Sequence, residues 1–300
     1  QHVLIAAADA ERETFNARDT IYFGGTNQDR SRNHQAITLE WRGEAKRLTG
    51  DIAVRRDIFN RFKDATSIRA SVLAKVGESF SLAGSYAQGI AQPTFFDLYG
   101  FFPGSFVGNP SLKPESSRGF EVSLRYRHGP LRATLIGYRQ RLHDEIVDTF
   151  DPATFVSSTL NRSGISHRSG IEAEFGWLFG DTIRLSANYA YLHATQPGEL
   201  SLSQVKELRR PRQSGSIALD GASGRLSYGV SVAYVGAHLD RRDIAPFDVV
   251  RLRSYWLGSA RIAYAVRPGM ELFARATNAS KSSTKSVCSA CPACSGLSST

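Results

Sequence analysis

The sequence predicts an all-β protein, an antiparallel β-barrel whose strands cross a membrane, and three observations lead there. Apolar and polar residues alternate in segment after segment of about ten residues, the period of a strand with one apolar and one polar face. Tight turns and long loops separate these segments, which is how membrane barrels sort their connections. No apolar run approaches the roughly 18 residues that a membrane-spanning helix needs. The mean hydropathy of -0.27 looks soluble, but barrel strands hide an apolar band by alternation.

Taken in order, Ile37, Leu39 and Trp41 alternate with Thr38, Glu40 and Arg42. Ile68, Ala70, Val72, Ala74 and Val76 follow, then Phe80, Leu82, Gly84 and Tyr86 beyond a break at Gly77 and Glu78. Ile171, Ala173, Phe175 and Trp177 oppose Glu172, Glu174 and Gly176. Ile183, Leu185, Ala187, Tyr189 and Tyr191 face away from Arg184, Ser186 and Asn188. Later come Leu226, Tyr228, Val230, Val232 and Tyr234, and then Trp256, Ala260, Ile262, Tyr264 and Val266. About fourteen such strands are expected, long enough to cross a bilayer when tilted. Tight turns fall at 128–130, 180–181, 221–224 and 267–269, and long loops at 16–33, 92–117, 195–211 and 237–250. Aromatics near strand ends, namely Trp41, Tyr126, Trp177, Tyr191, Tyr234, Tyr255 and Trp256, suit interfacial girdles.

The most informative stretch is GNPSLKPESSRGFEVSLRY, residues 108–126. Gly108, Asn109 and Pro110 favour a turn, and Pro114 fixes a second bend before Glu115. Phe120, Val122, Leu124 and Tyr126 then form one strand face, with Glu121, Ser123 and Arg125 on the other. Gly-Asn-Pro-x-Leu-x-Pro-Glu, with Leu112 at its centre, resembles a signature of TonB-dependent outer-membrane receptors. The preceding SYAQGIAQPTFFDLYG, residues 85–100, resembles the strand and aromatic loop that lead into it. LNRSGISHRSGIEAEFGW at 160–177 resembles a hairpin of that family, with its second strand starting at Gly170-Ile171-Glu172. SANYAYLHAT, LRRPRQSGSIAL, YVGAHLDRRD and ELFARATNA resemble later strands and loops. LYGF at 98–101 and Leu-Arg-Arg at 208–210 look closest to the cobalamin-transporter branch.

A whole receptor of this kind implies a plug domain, a TonB box and about twenty-two strands. Nothing in the sequence resembles a plug or a TonB box, so the chain is expected to be an incomplete, C-terminal part of the barrel, open and not competent alone. Residues 1–279 are assigned to that partial barrel. Residues 280–300, SKSSTKSVCSACPACSGLSST, lose all alternation and carry every cysteine, so they read as foreign to the fold, for example by a shifted frame. Cys288, Cys291 and Cys294 have a spacing that invites zinc or an iron–sulfur cluster. A fourth ligand has no candidate nearby, and no metal or other cofactor is expected. No catalytic constellation appears, and His143-Asp144-Glu145 reads as a solvated rim, so no enzyme is expected.

The resemblance implies bacterial outer-membrane localisation and energy-coupled uptake of cobalamin or a ferric siderophore, with TonB acting through the plug. The first candidates for ligand contact are Phe95, Phe96, Tyr99, Phe101 and Phe102, because a corrin or siderophore presents large apolar faces. Equally, these rings would pack within their own loop. Gly108, Asn109, Pro110, Leu112, Pro114 and Glu115 are expected to shape the loop. The net charge of +9 suits anionic lipid, an acidic ligand or nucleic acid. Its plainer reading places Arg and Lys on polar strand faces, with no nucleic-acid partner. A passive porin-like channel and a soluble basic β-protein binding polyanions remain as alternatives.

Overall fold

The computed structural model describes residues 1–21, 23–198, 203–242 and 248–277, and these form two compact units. The Cys-bearing tail and its expected lack of a metal site lie outside the described residues. One unit comprises Gln1–Glu172 with His193–Lys206; the other comprises Ala173–Leu192 with the chain from Glu207 onward.

The first unit is an antiparallel meander. Its strands are β1 (His2–Ala17), β2 (Gln28–Ala45), β3 (Leu48–Phe59), β4 (Ala65–Val76) and β5 (Phe80–Ala91). The short helix α1 (Phe95–Tyr99) and the strands β6 (Phe101–Phe102) and β7 (Phe106–Val107) follow within the next loop. The meander resumes with β8 (Glu115–His128) and β9 (Leu131–His143), and β10 (Ile146–Asp151) and β11 (Val156–Asn161) fold over the loop end. β12 (Ile165–Phe179) and β13 (Ile183–Pro197) are shared, with 165–172 and 193–197 in this unit, where β13 pairs with β14 (Gln204–Lys206). In the second unit β13 pairs with β15 (Gln213–Ser223), which pairs with β16 (Leu226–Val235). The hairpin β17 (His238–Arg241) and β18 (Val249–Leu252) interrupts the order. β19 (Tyr255–Arg267) then pairs with β16, and β20 (Met270–Thr277) with β19.

Connections alternate strictly between short and long. In the first unit the tight turns are 46–47, 77–79 and 129–130, and the longer loops are 18–27, 60–64, 92–114 and 144–164. In the second unit 224–225 and 268–269 are tight, whereas 236–254 is long. Glycine opens two of the tight turns: Gly129 at φ 52° and Gly224 at φ 58° start two-residue hairpins that L side chains adopt only with strain.

The register aligns the apolar faces. Leu39 opposes Val54, which opposes Ile68. Tyr86 opposes Phe120, Gly84 opposes Val122 and Leu82 opposes Leu124. In the second unit Leu219 opposes Val230 and Ile217 opposes Val232. These rows are exposed: Ile37 is 53 % accessible, Leu39 61 %, Val122 50 % and Ile217 60 %. Among the described residues the buried apolar side chains are few, Ala36, Phe59, Leu98, Leu112, Ala194 and Ala263. Such contiguous apolar faces in place of a core require a non-aqueous solvent.

Aromatics bound the apolar rows. Phe80 and Tyr126 sit 4.8 Å apart at the turn end of β5 and β8, and His2 stacks on Trp41 at 5.8 Å. In the second unit Trp177 and Phe179 stack at 4.1 Å, and Tyr234 meets Trp256 at 4.7 Å. Tyr255 is a correction. It opposes Val235, so it shares the polar face and not the face of its neighbour Trp256. The polar face of the first unit is tied by ion pairs. Asp57 accepts from Arg55 Nε at 2.9 Å and meets His34 Nε2 at 2.9 Å, while Arg55 also reaches Asp9 at 2.9 Å.

Four expected boundaries moved. Strand β1, masked in sequence by its continuous apolar opening 3–8, pairs with β2 as far as Ala17 opposite Gln28, so the expected loop 16–33 shrinks. The loop 92–117 holds a helix and two short strands, and β8 already starts at Glu115. The loop 237–250 contains most of the β17–β18 hairpin, with 243–247 outside the described residues. β12 begins at Ile165 and not Gly170, because a glycine placed inside a ladder does not end it.

Candidate functional site

The candidate site is the loop end of the first unit, built around α1. Thr94 caps this single turn: its Oγ1 accepts from the Asp97 amide at 3.1 Å, and Asp97 accepts from the Thr94 amide at 2.8 Å. The Leu98 side chain is fully buried beneath the turn. Gly108 closes against it, its amide donating to the Gly100 carbonyl at 2.7 Å. A Cβ on Gly108 would lie 2.7 Å from the Tyr99 nitrogen and 2.8 Å from the Leu98 carbonyl carbon.

Asn109 bridges two elements. Its amide N–H donates to the Asp97 carbonyl at 2.8 Å, and its Nδ2 donates to the Thr159 carbonyl of β11 at 2.9 Å. Thr159 returns a bond from Oγ1 to the Asp97 carbonyl at 2.9 Å. Leu112 is buried, and the Pro110 carbonyl accepts from Arg61 at 2.8 Å. Pro114 leads into Glu115, whose carboxylate accepts from the Ile146 amide at the start of β10. The six signature residues thus lie between α1, β8 and the β10–β11 hairpin.

The five candidate aromatics divide into two groups. Phe95 and Tyr99 point into cationic company. Phe95 stacks on Phe15 at 5.6 Å with the Arg32 guanidinium 4.8 Å over its ring, and Arg32 also donates to the Pro93 carbonyl at 2.6 Å and pairs with Glu13. Tyr99 lies between Arg30 at 4.9 Å and Arg61 at 5.1 Å. Phe96, Phe101 and Phe102 form the outer group, 46 %, 37 % and 53 % exposed. Phe96 stacks on Phe106 at 4.6 Å and meets Phe102 at 5.9 Å.

Three participants were not foreseen. Arg30 and Arg61 come from β2 and from the loop after β3, far from Tyr99 in sequence. The β10–β11 hairpin, joined to β7 through Ser157 and Phe106, adds exposed Phe150 and Phe155 around an Asp151 turn. The Asp151 carboxyl is held below its usual range, chiefly by the Ala153 amide and then by Thr154. The visible signal was two phenylalanines flanking Asp-Pro at 151–152. An apolar, aromatic surface rimmed by arginines can stack against a large ligand with flat apolar faces.

Residues 6–279 match the family model described as TonB dependent receptor-like, beta-barrel. The chain belongs to this family. TonB-dependent receptors are outer-membrane transport proteins, not enzymes, and the exposed apolar rows are accordingly lipid-facing. The vitamin B12 transporter BtuB of Photobacterium profundum is 25% identical over 231 residues, covering 75% of this chain and 36% of the relative. Among solved structures, a variant of the ferric enterobactin receptor PfeA from Pseudomonas aeruginosa superposes with a TM-score of 0.71 at 17% identity, over 93% of this chain and 45% of that one. The copper transporter OprC superposes at 0.72 with 18% identity, over 92% and 48%. The chain therefore spans under half the length of these relatives.

Proposed function

We propose that this chain supplies the ligand-catching loops and lipid-facing strands of a TonB-dependent receptor for cobalamin or a ferric siderophore. The observation that carries the reading is one loop that exposes Phe96, Phe101 and Phe102 and also holds Tyr99, whose ring Arg30 and Arg61 approach at 4.9 and 5.1 Å. Exposed rings on a rigid loop stack on a large ligand with little ordering cost. Guanidinium groups beside them suit a ligand that also carries negative charge. Similarity to the vitamin B12 transporter favours cobalamin, whereas the solved siderophore receptors favour ferric siderophores. Energy coupling would act through TonB on a plug domain.

The test is equilibrium binding of labelled cobalamin and of ferric enterobactin to outer membranes carrying the protein. One of the two ligands is expected to be retained. Phe96→Ala with Phe102→Ala should weaken its binding about tenfold or more, since each ring contributes on the order of 1 kcal/mol. Retention of neither ligand above membranes lacking the protein would contradict the reading.

A further inference from the structure

The outward, apolar-bearing face of β8 and β9 changes character abruptly toward the loop end. Leu124 opposes Leu135, and Val122 opposes Gly137, both within the apolar rows. The next pair is Phe120 with Arg139, then Arg118 with Arg141, then Ser116 with His143. Side chains at alternate positions share a face, so the three arginines and His143 stand on the same side as Val122 and Leu124. Arg118 lies about 7 Å along the strand beyond Phe120, the last apolar residue of that face before β8 ends at Glu115.

Two arginines directly opposite each other repel, which costs stability unless an anion sits between them. Among the described residues no carboxylate pairs with Arg118, Arg139 or Arg141. The nearby Glu145 is taken by Arg168 at 3.0 Å and by the Ser166 hydroxyl at 2.6 Å. A cavity of about 380 Å³ borders the patch, lined by Thr66, Gln88, Ser116, Arg118, His143 and the carboxylate-bearing Asp144.

We infer that Arg118, Arg139 and Arg141 form a binding site for the phosphate groups of an anionic membrane lipid lying against the barrel wall at its long-loop end. The argument for lipid, and not for a soluble anion, is continuity. Phe120, Val122 and Leu124 would carry the acyl chains of the same molecule whose headgroup meets the arginines, and the patch stands on the wall, not among the ligand loops. Flexible arginines at this height reach a headgroup phosphate while their stems cover apolar surface.

The experiment is a titration of the full chain, folded in dodecyl maltoside micelles, with lipid A, phosphatidylcholine and inorganic phosphate. The expected result is saturable lipid A binding that weakens with added salt, and no binding of the other two at the same concentration. R118Q and R139Q should each lose about fivefold in affinity, and R118Q combined with R141Q about thirtyfold. Arg125→Gln, on the opposite face of β8, serves as the control and should bind as the unaltered protein. Heat-dependent gel mobility establishes that each variant is folded. Unchanged lipid A affinity in both single variants, or equal competition by inorganic phosphate, would overturn the inference.

Discussion

At Gly108 the chain has no room for a side chain, because the atoms in the way are backbone atoms of Tyr99 and Leu98, not the tips of flexible side chains. Gly108→Ala should cost about 1–3 kcal/mol through forced backbone displacement. Faster proteolysis or amide exchange across 93–112, with the strands unaffected, would register it. Asp57 presents the opposite case, a nearly buried carboxylate shared by Arg55 and His34. Asp57→Ala should lower the urea midpoint by an amount equivalent to about 1–3 kcal/mol, discounted because Arg55 remains partly solvated. A variant as stable as the parent would show that the polar-face network is ornamental.

For the elements, alternation made most strands legible, since a period of two requires only the order of apolar and polar residues. It failed at β1, where residues 3–8 are almost all apolar, and at Tyr255, whose side is set by its pairing with Val235. The loop end was half legible. Phe95 through Phe102 were visible as an aromatic cluster, but Arg30 and Arg61 reach Tyr99 only because the β1–β5 meander brings distant chain segments to one end. No local pattern encodes such a meeting. Strand β8 offers the sharpest test of face assignment. Val122→Arg should impair membrane assembly at about 2–4 kcal/mol near the bilayer midplane, whereas Glu121→Arg should be tolerated. Ser123 is no fair comparator, because it is 2 % exposed and an arginine there would clash whatever its surroundings. Equal yields of folded protein for arginine at 121 and 122 would refute the assignment.

For the molecule as a whole, the account rests on one inversion: the large apolar side chains are outside, and ion pairs and hydroxyls occupy the other face. That inversion follows from a bilayer serving as solvent for one side of each strand. The measurement that tests it most directly is a nitroxide scan of residues 119–126 in lipid vesicles, after Cys288, Cys291 and Cys294 are changed to serine. Labels at 120, 122 and 124 should collide with oxygen dissolved in lipid, and those at 121 and 125 with a water-soluble nickel chelate. The two accessibilities should alternate out of phase with a period of two. Nickel accessibility at every position, or no alternation, would contradict a membrane-crossing strand and the receptor function built upon it.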